Sequence, residues 1–338
     1  MLMGTPPGCL PFSMASQSTR VNPLKTWRPS VFYLRGAPII GVVSVELNGI
    51  FVPNVTPFNG QGHIDYEKLG GLVDFWLESG VSGIVVNAST GEAPLLNNEE
   101  RVELIHYVKD RMSGKGRLIA GTGAIGTRET IELTRDAKEA GAEAALVAPP
   151  FFYRPSDMEV YRHFSSLLGS VDLPVIFYNV PKFTGYGVPP RVVNRIADEC
   201  SNLVGIKDSS GNPWNQAENI RLFGSKISVL SGAADMTLPT LTMGGKGAIL
   251  AVANAIPETC VALYEAALRG DLEEAGRLQL KVSYVNKVLV REHSQIAAVK
   301  AALASLGHPA GVPRRPLRPL PPGEDRQVVE EFMQREDL

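Results

Sequence analysis

Eight short apolar runs, separated by amphipathic stretches at a period of roughly 30 residues, constrain this chain more than any other feature. They begin at Gly49, Gly83, Arg117, Ala144, Pro174, Leu203, Ser228 and Gly247. Runs such as "GIVVNAS" and "AALVAPP" are continuous rather than alternating, which is expected of parallel strands covered on both faces. Eight such units within about 210 residues fit a closed barrel better than an open doubly wound sheet. The expected fold class is therefore α/β, a (β/α)8 TIM barrel with a C-terminal helical appendage.

The intervening stretches read as helices. "DYEKLGGLVDFWLESG" puts Leu69, Leu72, Val73 and Trp76 on one face. "NNEERVELIHYVKDRM" opens on an Asn cap with acids in its first turn, and "TRETIELTRDAKEAG" offers Thr127 as a cap and stops at Gly141. After Asn254 the pattern is all helical, until the Pro-rich "HPAGVPRRPLRPLPPG" predicts an extended strap lying on the surface. A short amphipathic helix with Val328, Val329 and Phe332 follows. The expected organisation is an N-terminal extension at 1–45, a barrel at 46–255, and a helical region with the strap at 256–338.

Charge and cysteine content exclude several classes of function. The net charge of −2 offers no footprint for nucleic acid or an anionic membrane surface. No apolar stretch reaches the ~18 residues of a membrane span. Cys9, Cys200 and Cys260 lie far apart, and the five histidines show no ligand spacing, so neither a disulfide framework nor a metal is expected. A cytoplasmic location follows from this reading. The first 45 residues hold no acid, however, while Arg20, Lys25, Arg28 and Arg35 are basic. That resembles an organellar transit peptide; the plainer expectation is a disordered extension or an upstream start among Met1, Met3 and Met14. "APIIGVVSV" at 37–45 is expected to pack as a strand.

In such barrels chemistry gathers where the strands end. The sixth run, "LVGIKDSSGN", ends in Lys207, a residue type seldom buried without a partner. An amine must be neutral to attack a carbonyl, and at the ordinary pKa of ~10.4 only about one lysine in a few thousand is neutral at pH 7. An apolar barrel would raise that fraction by desolvation. The bland alternative pairs Lys207 with a carboxylate such as Asp208. Nearby strand ends supply Tyr178, a phenol suited to moving protons, and the small turn of Ser89, Thr90 and Gly91, whose backbone N–H groups suit a carboxylate. Gly232 leaves room for a ligand. Together these suit imine chemistry on a 2-keto acid. A rival signal is "GTGAIG" at Gly121–Gly126, a literal dinucleotide fingerprint. It falls in the third unit, and the next strand ends in "APPFF" with no ribose-binding acid, so a tight turn explains it better than a nicotinamide oxidoreductase does.

The segments "NASTGEA", "YNVPKFTG", "GIKDSSG" and "SGAADMTLPTLTMGGKGAILAVAN", in this order, resemble the pyruvate-dependent lyase family of dihydrodipicolinate synthase, N-acetylneuraminate lyase and 2-keto-3-deoxygluconate aldolase. The resemblance spans about Asn48 to Leu320. It implies class I aldolase chemistry without metal or organic cofactor. Lys207 would form the Schiff base, Tyr178 would shuttle protons, and Ser89 and Thr90, with Gly91 in the same turn, would hold the pyruvate carboxylate and relay protons. Gly232 and Ile249 would line the pyruvate pocket. The partners implied are a keto acid, an aldehyde acceptor and three further copies of the chain, as a homotetramer built of dimers.

Two departures bear on the substrate. The family's synthases carry an arginine that grips the acceptor carboxylate, where this chain has Phe183 beside Lys182. The tyrosine lent by a neighbouring subunit falls at Phe152, although Tyr153 could replace it if the loop shifts by one residue. The missing arginine favours cleavage or condensation of 2-keto-3-deoxy sugar acids. The alternative is 4-hydroxy-tetrahydrodipicolinate synthesis from pyruvate and aspartate semialdehyde. A barrel that only binds a keto acid is a more distant possibility.

Overall fold

The computed structural model describes residues 47–337. The extension and the expected strand at 37–45 lie outside the described residues. Eight parallel strands follow in order: β1 (Gly49–Val52), β2 (Gly83–Val86), β3 (Arg117–Gly121), β4 (Ala144–Val147), β5 (Val175–Asn179), β6 (Leu203–Asp208), β7 (Ser228–Ser231) and β8 (Gly247–Ile249). Each pairs with the next and β8 pairs with β1, closing the (β/α)8 barrel. The continuous apolar runs now have their cause, because successive side chains face opposite sides and both sides are buried. Phe51, Val85, Ile119, Ile176, Leu230 and Ile249 fill the barrel interior. Ile50, Val52, Ile84, Val86 and Leu118 face outward onto helical residues such as Leu69, Val73 and Trp76.

Helix Tyr66–Glu78 buries the four apolar residues expected of it. Asn97 caps helix Asn98–Met112 in a reciprocal capping box with Glu100. The third helix differs from expectation: Gly126, not Thr127, occupies its cap position, with no side-chain cap bond. The Thr127 hydroxyl is instead hydrogen-bonded to His163 Nδ1 at 2.9 Å, and Thr130 Oγ1 accepts from the Ala124 N–H at 3.2 Å. Two of the three glycines of "GTGAIG" serve the barrel wall, while the third, Gly126, is the helix cap. A Cβ at Gly121 would fall 1.9 Å from the Asn87 carbonyl oxygen, and one at Gly123 2.8 Å from the Ala148 nitrogen. Close backbone approach explains them without a dinucleotide.

Beyond β8 come helices Pro257–Arg269 and Leu272–Asn286, a π-helical turn at Lys287–Glu292, and helices Gln295–Ser305 and Glu324–Met333. Val328 and Phe332 are buried, as their spacing predicts. The Pro-rich strap is more than a surface feature. Gly311 bridges to Phe58, and the Arg314 guanidinium donates to Glu100 at 2.6 and 2.7 Å, to the Gly62 carbonyl and to the Leu95 carbonyl. A guanidinium fork matches a carboxylate through two parallel bonds, which pins the strap at this point. Among the described residues, no helix is long and apolar enough to cross a membrane.

Candidate active site

Lys207 and Tyr178 lie side by side across the β5–β6 pairing, both directed into the barrel near its C-terminal mouth. The Lys207 Nζ lies 4.3 Å from the centroid of the Tyr178 ring, and the two residues are 4% and 7% exposed. The next residue on each strand faces the opposite way. Asn179 donates to Asp208 at 3.0 Å, and Asn219 and the Ser210 N–H donate to the same carboxylate at 3.0 and 2.8 Å. Burial pushes the Asp208 pKa up, partly offset by these bonds. Strand alternation therefore separates Asp208 from the amine, and the bland Lys207–Asp208 pairing is not formed. Among the described residues Lys207 makes no ion pair.

The amine opens into a cavity of about 400 Å³. Its lining includes Ser89, Thr90, Tyr178, Gly232, Ile249 and Phe183. The turn after β2 is drawn tight by its own bonds: the Gly91 N–H donates to Ala88 O at 3.0 Å, and Glu92 N–H to Ser89 O at 3.2 Å. Among the described residues, the backbone N–H groups of Ser89 and Thr90 carry no hydrogen bond, so two amides of one tight turn remain available at the cavity wall. Gly91 itself does not line the cavity. A Cβ there would sit 2.9 Å from the Asn54 carbonyl, so this glycine lets the turn approach β1's exit. Gly232 is required by the lysine: a Cβ would meet Ser209 Oγ at 2.0 Å and the Lys207 Cε and Cγ at 3.0 Å.

The remaining expected residues fall on the rim or outside. Phe183 is half-exposed and also borders a second, adjoining cavity of about 750 Å³. Phe152 and Tyr153 are 82% and 74% exposed, stacked edge to face at 5.1 Å, and line neither cavity of their own chain. Phe152 takes a left-handed φ of +77°, a strained choice for an aromatic residue. Sequence reasoning missed Asn286, Arg291 and Gln295, which reach the cavity from the C-terminal helices. Asp235 accepts from the Arg291 guanidinium, and from Asn286 Nδ2 at 3.0 Å. Lys182 Nζ donates to Gln295 Oε1 at 3.3 Å. In sequence these are ordinary polar positions at the end of one helix, in the turn after it and at the start of the next, with no local sign of a cavity.

Comparison with known proteins agrees with this geometry. The model of the dihydrodipicolinate synthetase family matches residues 46–335. The 4-hydroxy-tetrahydrodipicolinate synthase of Methanocaldococcus jannaschii is 38% identical over 269 residues, covering 80% of this chain and 92% of that protein. That of Aquifex aeolicus is 36% identical over 282 residues, covering 83% and 95%. Among solved structures, the Aquifex aeolicus dihydrodipicolinate synthase superposes with a TM-score of 0.82 at 35% identity, covering 86% of this chain and 98% of that one. YagE, an E. coli K12 prophage protein of the same family solved with pyruvate, gives 0.83 at 30% identity, covering 86% and 99%. The chain belongs to the dihydrodipicolinate synthetase family and is a carbon–carbon lyase of the class I, Schiff-base type.

Proposed function

We propose that this lyase condenses pyruvate with aspartate semialdehyde, with Lys207 as the imine-forming residue. The neutral amine attacks C2 of pyruvate, water leaves, and loss of a C3 proton gives an enamine. C3 of the enamine then bonds to the aldehyde carbon, whose oxygen takes a proton, and attack on the C2 imine by water or by the product's own amine breaks the bond to Lys207 and frees its amine. Tyr178, flanking the amine, carries protons in these steps, with Ser89 lining the same cavity. The Ser89 and Thr90 amides hold the pyruvate carboxylate, while Gly232 and Ile249 shape the pocket around its methyl end. Tyr153 serves a neighbouring copy of the chain within a homotetramer.

The choice of acceptor rests on one observation above the others. Phe183 cannot pair with a second carboxylate, but Lys182 and Arg291, the latter also held by Asp235, stand on the same cavity's lining. A carboxylate brought into such a site without a cation would cost several kcal/mol. The relatives named as 4-hydroxy-tetrahydrodipicolinate synthases point the same way. This displaces the sugar-acid preference that Phe183 suggests in the sequence. That second reading keeps one supporting observation, the Phe183 ring itself, which suits an uncharged hydroxy-aldehyde.

A panel of aldehydes assayed with pyruvate separates the two. Aspartate semialdehyde should exceed glyceraldehyde in kcat/KM, and Arg291→Met should lower that ratio at least tenfold, about 1.4 kcal/mol. A preference for glyceraldehyde in the unmodified enzyme, unaffected by Arg291→Met, would establish the sugar-acid reading instead.

A further inference from the structure

The carboxylate-binding turn is held from outside the barrel, by residues that carry no chemistry of their own. Glu92 closes the turn and is 1% exposed, with a left-handed φ of +61°. A non-glycine residue in that region costs roughly 1–2 kcal/mol and persists only where its surroundings impose it. Both carboxylate oxygens are engaged: Oε1 accepts from Lys300 Nζ at 2.7 Å and Oε2 from the Arg314 N–H at 2.8 Å. Lys300, 2% exposed, spends its other two donors on the carbonyls of Thr56 at 2.7 Å and Val312 at 2.9 Å. Thr56 returns to the same turn, its hydroxyl donating to the Gly91 carbonyl at 2.7 Å. One and a half helical turns before Lys300, Gln295 Nε2 reaches Thr90 Oγ1 at 3.4 Å.

Helix Gln295–Ser305 therefore grips this turn at two points, Thr90 and Glu92. Stability alone is a poor reason for such an arrangement, because a buried ion pair often contributes no more than apolar residues of the same volume. Burial holds the Lys300 amine below the ordinary lysine range, against the pull of Glu92, so the charge is carried at a cost. We infer that Lys300 and Glu92 are positioning residues for pyruvate: their ion pair fixes the turn so that the Ser89 and Thr90 amides face the cavity. This rests on the aldolase reading above, with the carboxylate of pyruvate at those amides.

The test compares Lys300→Met with the double variant Glu92→Gln/Lys300→Met, which leaves no charge buried. Lys300→Met should raise the KM for pyruvate at least tenfold and lower the melting temperature. Turnover at saturating pyruvate should stay within about threefold of the parent enzyme, since Lys207 and Tyr178 are untouched. In the double variant the melting temperature should recover while the KM stays high. Recovery of KM together with stability would reduce the pair to a structural role and overturn the inference, as would an unchanged KM in both variants. Should Lys300→Met fail to fold, the double variant carries the test by itself. The parent enzyme, treated with borohydride and pyruvate, checks the underlying reading separately: labelling of Lys207 upholds it, and no labelling removes it whatever the variants do.

Discussion

Lys207 and Lys300 are buried to nearly the same degree, 4% and 2% exposed, yet their surroundings differ in almost every other respect. Lys300 has its three donors matched to a carboxylate and two carbonyls, and a Phe58 ring 4.8 Å away. Lys207 has a Tyr178 ring, a cavity of about 400 Å³ and, among the described residues, no counter-ion. An ammonium whose donors are all matched is held in one place, whereas an amine beside a cavity with no counter-ion leaves room for a ligand to reach it. Burial by itself therefore does not distinguish a nucleophile from a strut. The partners are where the two lysines differ.

Removing the proposed nucleophile has the largest expected effect on activity. Lys207→Ala should abolish both turnover and borohydride trapping of pyruvate while the melting temperature holds or rises, because no ion pair is lost. Activity retained by Lys207→Ala would break the contrast with Lys300 outright. Next in size is the neighbouring phenol: Tyr178→Phe should keep the fold and lose roughly 10²–10⁴-fold in kcat, the usual range for a positioned acid or base. Steady-state rates at saturating pyruvate measure it.

Gly232→Ala sharpens the comparison without altering either lysine's chemistry. The added methyl pushes the Ser209 hydroxyl aside, 2.0 Å away, and presses on the Lys207 stem at 3.0 Å; since a misplacement near 1 Å costs about 10²-fold in rate, this smaller shift should cost less than that. A crystal structure of the variant should show the amine moved, with the Lys300 network unchanged. The smallest expected effect concerns a third buried base. Burial depresses the His163 pKa to about 4, and no charged partner meets it among the described residues. With the folded value below the unfolded value of ~6.5, the stability this residue contributes is complete above pH 6.5 and is lost as pH falls toward 4. Near pH 5 the loss is about 2 kcal/mol, and denaturant titrations of His163→Gln should lack that portion of the pH profile.

The barrel, the buried helix faces and the strand end that carries Lys207 are all legible in the sequence, for a shared reason. Each depends on a short-range period, two for strands and 3.6 for helices, and the periodic residues are the ones that the fold buries. The strand ends themselves offered Tyr178, Ser89 and Gly232, and the resemblance to a lyase family added the roles they would play. The cap of helix Thr127–Glu139 departs from the sequence expectation where that rule stops, because His163 on the following helix engages the Thr127 hydroxyl.

By itself the sequence determined that eight parallel strands would close, with a lysine at the mouth and a small hydroxyl-rich turn nearby. Only the tertiary structure decided which groups meet across the chain. Strand alternation turned Asp208 away from Lys207 and onto Asn219, although the two residues are adjacent in sequence. Lys300 found Glu92 from 208 residues away, and Arg291 reached the cavity from the last helices. No local pattern carries such pairings, because they depend on where ring closure and the C-terminal helices bring distant segments together, and a buried charge declares its role only once its neighbours are in place.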